Sequence, residues 1–263
     1  VARFDRTIPP GGEGKITLEL KTKGYQGKVN KTARVETNDP RQPQIMIGLS
    51  GTVWVAVEMS PQYGHIQGVV GEKIENIVSL EAKKEEPLVL ELTSVSIPDK
   101  VDVELKQVEK GRKYEVRIQN KVKGVANYNG EIKLKTNYPE APELVVRVTG
   151  NVRPTVEARP KELSFGRISQ QQFDQVTKNK RPLTRPILVI LNKGEDLKVT
   201  KVRLEKSLFK AATQGLQNNR MVQVVVEADF GKLKKGMNED ILEITTNQKG
   251  HEVLKVPVRF ELL

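Results

Sequence analysis

Cysteine is absent from this chain of 263 residues, histidine occurs twice and tryptophan once. Without cysteine there is no disulfide framework, no thiolate nucleophile and no thiolate metal site. His65 and His251 stand 186 residues apart, with no His-x-x-x-His or His-Glu-x-x-His spacing. Each therefore reads as a loop or strand-surface residue rather than a metal ligand. Long apolar runs are also missing. The longest aliphatic run is Ile187 to Leu191, against the roughly 20 residues of a spanning helix. No signal-peptide pattern opens the chain. The start at Val1 rather than Met reads as a fragment or a processed product.

Motifs of catalysis are equally scarce. There is no Gly-x-Ser-x-Gly elbow and no Gly-x-Gly-x-x-Gly loop. "GGEGKIT", Gly11 to Thr17, puts Ile16 where a phosphate loop needs Ser or Thr, and it opens a strand; it reads as a turn. The carboxylate pairs Glu85-Glu86 and Glu239-Asp240 are neighbours in sequence, and strand neighbours point to opposite faces. They read as solvated charge, not as an acid/base pair. No enzyme and no cofactor is expected.

Charge, by contrast, is abundant and uneven. Lys plus Arg against Asp plus Glu is 9 to 5 for residues 1–57, 15 to 16 for 58–157 and 20 to 12 for 158–263. The last third thus holds +8 of the net +11. Its basic stretches are "KNKRPLTRP", Lys178 to Pro186, and "KLKK", Lys232 to Lys235. Lys178, Lys180, Arg181, Arg185, Lys232, Lys234 and Lys235 are the candidate contacts for an anionic polymer or a membrane surface. The plainer reading is a pair of solvated loops or lysine-guarded edges. Phe173 is the nearby aromatic, and single-strand nucleic-acid binders interleave more of them.

The chain also repeats itself. "VETNDPRQPQIMIGLSGTV", from Val35, returns 99 residues later as "LKTNYPEAPELVVRVTGNV", with six of nineteen positions identical. A weaker third copy, Leu242 to Leu262, carries Thr246-Asn247. A period near 100 is too long for a solenoid and marks tandem globular units. "KITLELKT", "EIKLKT" and "ILEITT" alternate apolar and polar residues, as half-buried strands do. The Thr-Asn ends a strand, with the Asn side chain expected to bond nearby backbone and start a turn. Pro40 and Pro139 fix φ in that turn, and Pro43 and Pro142 begin the next strand. Gly51 and Gly150, in matching places, suggest a bulge, a bend or a close backbone approach where the chain leaves each unit, and a positive φ there would exclude a β-branched residue. A short helical turn is admitted at 207–217. Seven or so short strands per unit of about 100 residues match an immunoglobulin-like sandwich.

Those turn and strand signatures, with "IPPGGEGKITLELKT", "ELSFGRI" and "PILVILNKGEDLKVTKV", resemble bacterial Hydin-type immunoglobulin-like domains, relatives of the major-sperm-protein fold. Phe165-Gly166-Arg167-Ile168 and Asn192-Lys193-Gly194 fit that family's pattern in the last unit. The middle unit has only Tyr63-Gly64-His65-Ile66, with Glu85-Glu86-Pro87 where Asn-x-Gly would fall, and four fewer residues between Gly130 and Asn137 than the first unit has between Gly27 and Asn38. The resemblance implies an extracytoplasmic location, in the periplasm, at the cell surface or secreted. The expected fold is all-β: tandem immunoglobulin-like β-sandwiches in an elongated array, the first incomplete. The expected units are 1–57 (its last strands only), 58–157 and 158–263. The expected role is non-catalytic protein interaction or spacing, with protein as the partner. The alternative is binding of an anionic polymer or membrane surface by the basic last unit.

Overall fold

The computed structural model describes residues 2–178, 182–250 and 252–263. The first strands form two small antiparallel sheets. β1 (Ala2–Phe4) pairs with β2 (Ile16–Leu18), and β3 (Gly27–Glu36) pairs with β4 (Gln44–Val53). Next come β5 (Val57–Ser60), β6 (Tyr63–Val69), β7 (Glu75–Ala82), β8 (Leu90–Val95), β9 (Val101–Glu109), β10 (Lys113–Asn120), β11 (Ala126–Thr136) and β12 (Glu143–Arg153). One sheet runs β5-β7-β10-β9, and the other β6-β12-β11-β8. Neighbours pair antiparallel except β6, which lies parallel to β12. This is the strand order of an immunoglobulin-like sandwich, with one extra strand added beside the last.

The order then repeats. β13 (Val156–Arg159), β14 (Leu163–Ile168), β15 (Thr184–Leu191), β16 (Val199–Leu204), β17 (Phe209–Asn218), β18 (Met221–Ala228), β19 (Gly236–Thr246) and β20 (Val253–Leu262) form sheets β13-β15-β18-β17 and β14-β20-β19-β16. Again β14 runs parallel to β20. The Ser60-Pro61 and Arg159-Pro160 peptides, at matching positions, are both cis.

Period-two patterning places the cores. In β12 every second residue from Leu144 to Val152 is buried. Its apolar face meets Ile66, Val78, Leu80, Val116, Ile118, Ile132 and Leu134 in one core. A second core gathers Ile187, Val189, Val224, Val226, Leu242, Ile244, Val258 and Phe260. Burial of a Val, Leu or Ile side chain contributes roughly 1.5–3 kcal/mol, so each cluster is the main stabiliser of its sandwich.

The matching strands expose how the repeat is built. β3 and β4 begin 99 residues before β11 and β12, so the spacing within the two hairpins is the same. The middle unit is therefore not shortened; Gly27 corresponds to Ala126, not to Gly130. In the last sandwich the spacing grows, from Glu75 to Thr184, to 109 residues. The extra residues fall between β14 and β15 and contain a helix, α1 (Gln170–Lys178). Ser169 and Gln172 cap it reciprocally: Gln172 N–H donates to Ser169 Oγ, and Ser169 N–H to Gln172 Oε1.

Four further expectations are corrected. Residues 209–218 are strand β17, not a helical turn; the local signal there is Ser207, held at φ 57°. Gly150 is neither a bulge nor a bend; the close approach there is of a side chain, not of backbone. It lies inside β12 opposite Tyr128, where a Cβ would sit 2.1 Å from the phenol ring. Gly51 is likewise in an extended strand, opposite Val29, with open space above it. Asp240 is not solvated. It is 2% exposed and accepts backbone N–H groups from Lys206, Leu208 and Ile241.

Candidate functional site

The Thr-Asn phrase does two separate jobs. Thr136 closes its own turn: its N–H donates to Pro142 O, its hydroxyl donates to Ala141 O, and the hydroxyl oxygen accepts Tyr138 N–H. Asn137 does not serve the turn. Its Oδ1 accepts Val89 N–H at 2.9 Å and its Nδ2 donates to Pro87 O at 3.0 Å, about fifty residues back. Those atoms lead into β8, the strand on the outer edge of β11. Asn247 repeats this on Lys198 N–H at 2.9 Å and Asp196 O at 3.0 Å, ahead of β16. The Asn is therefore a clamp on an arriving strand, which corrects the turn-starting role expected of it.

The first copy has the turn without the clamp. Thr37 makes the same bonds, to Pro43 O, Gln42 O and Asp39 N–H. Asn38 is exposed and has no hydrogen-bond partner among the described residues. Among those residues, no strand lies beside β3 or β4 apart from each other. In the middle sandwich the corresponding edges carry β8 and β6.

The face of this hairpin is only partly covered. Ile45 is 40% exposed, whereas Leu144, its counterpart 99 residues on, is 9% exposed. Ile47, Leu49, Ala33 and Val35 are half-exposed, whereas Val146, Val148, Ile132 and Leu134 are buried. A cleft of about 290 Å³ lies along this face, lined by Leu18, Leu20, Ala33 and Leu49 with Lys31 and Thr32. At its far end the hairpin is anchored. Gln26 Nε2 donates to Met59 O and Gln26 Oε1 accepts Met59 N–H, both on β5.

The inserted helix packs just beyond the end of β18. Phe173 of α1 packs edge-on against Phe230, with ring centroids 5.2 Å apart. Ala228 N–H donates to Leu183 O, and Thr184 pairs with Glu227. So Leu183 and Thr184 run beside Glu227 and Ala228, at the end of the strand that precedes the loop of Lys232, Lys234 and Lys235. Lys178, Lys234 and Lys235 are exposed and have no side-chain partner among the described residues. Lys232 is engaged, with Nζ donating to Ser207 O and 3.6 Å from Asp229. Arg185 is exposed in β15, 5.9 Å from the Phe165 ring centroid. Lys180 and Arg181 lie outside the described residues. His65 sits on the surface of β6 with Nδ1 2.9 Å from Thr149 Oγ1, and His251 lies outside the described residues. Among the described residues no group of three or more acidic or His side chains converges to hold a metal, and no helix is long and apolar enough to cross a membrane.

No family model matches the chain, and no curated protein does either. Among solved structures it is similar to a protein of unknown function from Porphyromonas gingivalis W83, at 12% identity over 79% of this chain and 100% of that one, TM-score 0.33. It is similar to the YadV chaperone at 11% identity over 78% of this chain and 100% of that one, TM-score 0.28. Titin-A168169 follows at 6% identity over 80% of this chain and 100% of that one, TM-score 0.27. The strand order and register given above, independently of these likenesses, make this an immunoglobulin-like β-sandwich protein.

Proposed function

We propose that the chain is a non-catalytic, Hydin-like repeat protein that works outside the cytoplasm and binds polypeptide by strand addition at the β3–β4 hairpin. The two sandwiches act as the spacer that presents this hairpin. One observation carries the reading: Asn137 and Asn247 each clamp a strand, and Asn38 has the same turn behind it and makes no such bond among the described residues. The occupant is an extended segment, antiparallel to β3, with apolar side chains at alternate positions. Main-chain bonds supply affinity and alternate side chains supply selectivity, as in sheet-edge recognition generally.

The test uses a fluorescent peptide copying residues 85–97, the segment that contains β8, added to the whole chain. Binding is expected to saturate and to survive an increase in salt. Asn38→Ala removes two hydrogen bonds, about 1–2 kcal/mol, so affinity falls roughly 5- to 30-fold. Equal binding by wild type and the Asn38 variant, or none by either, overturns the proposal.

A second reading rests on the insertion. Lys178, at the end of the inserted helix, is exposed and unengaged among the described residues, as are Lys234 and Lys235, which supports an anionic polymer as partner of this unit. Binding of such a polymer would fall steeply with salt, and strand addition would not.

A further inference from the structure

A second cleft, of about 280 Å³, lies where β12 runs into β13. Asn127 and Asn151, paired across β11 and β12, form one wall. Arg153, Glu157, Arg159 and Lys161 come from the linking segment and the start of the next sandwich. Val125, Val152 and Pro154 supply apolar lining.

The charges in this cleft do not cancel. Glu157 is the one acid lining it, against three cations. Its carboxylate is already engaged, accepting Arg159 Nη2 at 2.7 Å and Asn192 Nδ2 at 3.0 Å. Burial works to raise the Glu157 carboxyl, but the bonds from Asn192 and Arg159, with the charges of Arg159 and Arg153, outweigh it and hold the group below its ordinary value. So Glu157 stays ionised and stays committed to Arg159 and Asn192.

Arg153 and Lys161 are the remainder. The Arg153 Nε is buried and has no hydrogen-bond partner among the described residues. A buried guanidinium N–H left unpaired is costly, and a rotation of the side chain toward an acceptor in the cleft relieves the cost. Lys161 is exposed at the rim, and no side-chain partner occupies it among the described residues. Among the described residues the side-chain amides of Asn127 and Asn151 also make no hydrogen bond, and each is able to donate. Two cations and two amide donors thus face one small polar space, and the backbone around them is fixed. Val70 N–H donates to Arg153 O, and Lys193 pairs with Glu72 across the same junction at 3.3 Å.

We infer that this cleft is a binding site for a small oxyanion, held by Arg153 and Lys161 with Asn127 and Asn151 as secondary donors. It is separate from both the β3–β4 hairpin and the basic loops. The ligand class is a carboxylate, sulfate or phosphate carried on a group no larger than a single sugar ring. The guanidinium supplies directional bonds to two oxygens, and the ammonium supplies charge. The site bridges two sandwiches, so an occupant ties Arg153 on one side to Lys161 on the other.

The test is a heteronuclear NMR titration of the whole chain with sodium sulfate, inorganic phosphate and glucuronate, each at constant ionic strength. Saturable shifts are expected at the side-chain amides of Asn127 and Asn151 and at Arg153 Nε. Glucuronate binding more tightly than both inorganic ions identifies a carboxylate on a ring; sulfate or phosphate binding more tightly identifies a free inorganic ion. Lys161→Gln, at an exposed position, leaves the fold intact and should weaken binding at least tenfold; Arg153→Gln should do the same. A thermal midpoint raised by the bound anion in wild type should stay flat in the Lys161 variant. Absence of saturable shifts for all three anions, or equal affinity in wild type and Lys161→Gln, overturns the inference.

Discussion

Replacing Gly150 with alanine should destabilise the middle sandwich far more than the same change at Gly51. Both glycines occupy the same place in the repeat, and both have extended backbones, so backbone freedom does not separate them. Their neighbours do. A Cβ on Gly150 would lie 2.1, 2.2 and 2.5 Å from three carbons of the Tyr128 ring. Carbon contacts rest at about 3.5–4.0 Å, so the ring would have to move by well over 1 Å. Tyr128 is 8% exposed and packs in the core, and its hydroxyl donates to Asn120 Oδ1 at 2.9 Å. Overpacking typically costs about 1–3 kcal/mol, and the displaced hydrogen bond adds about 0.5–1.5 kcal/mol. The expected loss is therefore about 2–4 kcal/mol, or at least about 10 °C in melting midpoint for a domain of this size. At Gly51 nothing lies within 4 Å, and alanine should change stability by less than about 0.5 kcal/mol. Urea unfolding read by hydrogen exchange at Ile132 and Val146 isolates the middle core. Tyr128→Val should relieve the clash, giving a coupling above about 1 kcal/mol in the double-mutant cycle. A Gly150→Ala loss under about 0.5 kcal/mol, or strict additivity with Tyr128→Val, would refute the steric argument.

The Asn clamps predict a graded series. Asn137→Ala and Asn247→Ala each remove two bonds to backbone and should cost about 1–2 kcal/mol by chemical unfolding, whereas Asn38→Ala in the unliganded chain should cost nothing measurable. Glu157 predicts a pH effect. Its folded value lies below the ordinary 4.5, so its contribution is complete above that pH and is lost as pH falls through the folded value. Glu157→Gln should therefore be less stable than wild type at pH 7, with the gap closing as pH falls below about 4.5; a gap constant from pH 7 to pH 3 would exclude the charge as its source.

Strands were legible because one buried face forces period-two patterning, and "ILEITT" and "ELVVRV" carry it in full. The helix was hidden because α1 has no fully buried residue and so imposes no strong apolar stripe. A local signal was available in Ser169-x-x-Gln172, a capping pattern with no Pro or Gly in the nine residues after it. The glycine error has a different origin. A recurring Gly can reflect backbone geometry or the size of whatever faces it, and sequence alone does not tell these apart. The third copy resolves it. At the matching pair the last sandwich has Asn238 opposite Phe260, and the middle has Tyr128 opposite Gly150. One strand supplies the ring and the other the small partner, and the two sandwiches use opposite strands. The constraint is therefore on the volume of the pair, which no single-position comparison reveals.

The candidate sites were hidden for a related reason. The basic residues could be read directly, because charge is a property of each residue. The hairpin and the junction cleft depend on relations between residues. Asn38 gains its meaning only when Asn137 and Asn247 are seen holding strands some fifty residues earlier in the chain. Arg153 and Lys161 are ordinary cations until Glu157 is found committed to Arg159 and Asn192. In each case a repeat that matches in sequence differs in what its polar atoms touch, and the unmatched donor or acceptor marks the site. The same reasoning separates the basic cations. Lys232 is engaged by Ser207 and Asp229, so it contributes less to any anionic contact than Lys178, Lys234 and Lys235, which are free among the described residues. If the basic face binds a polyanion, the free three should carry the salt dependence, because an ion pair already made must first be broken before Lys232 can release counterions.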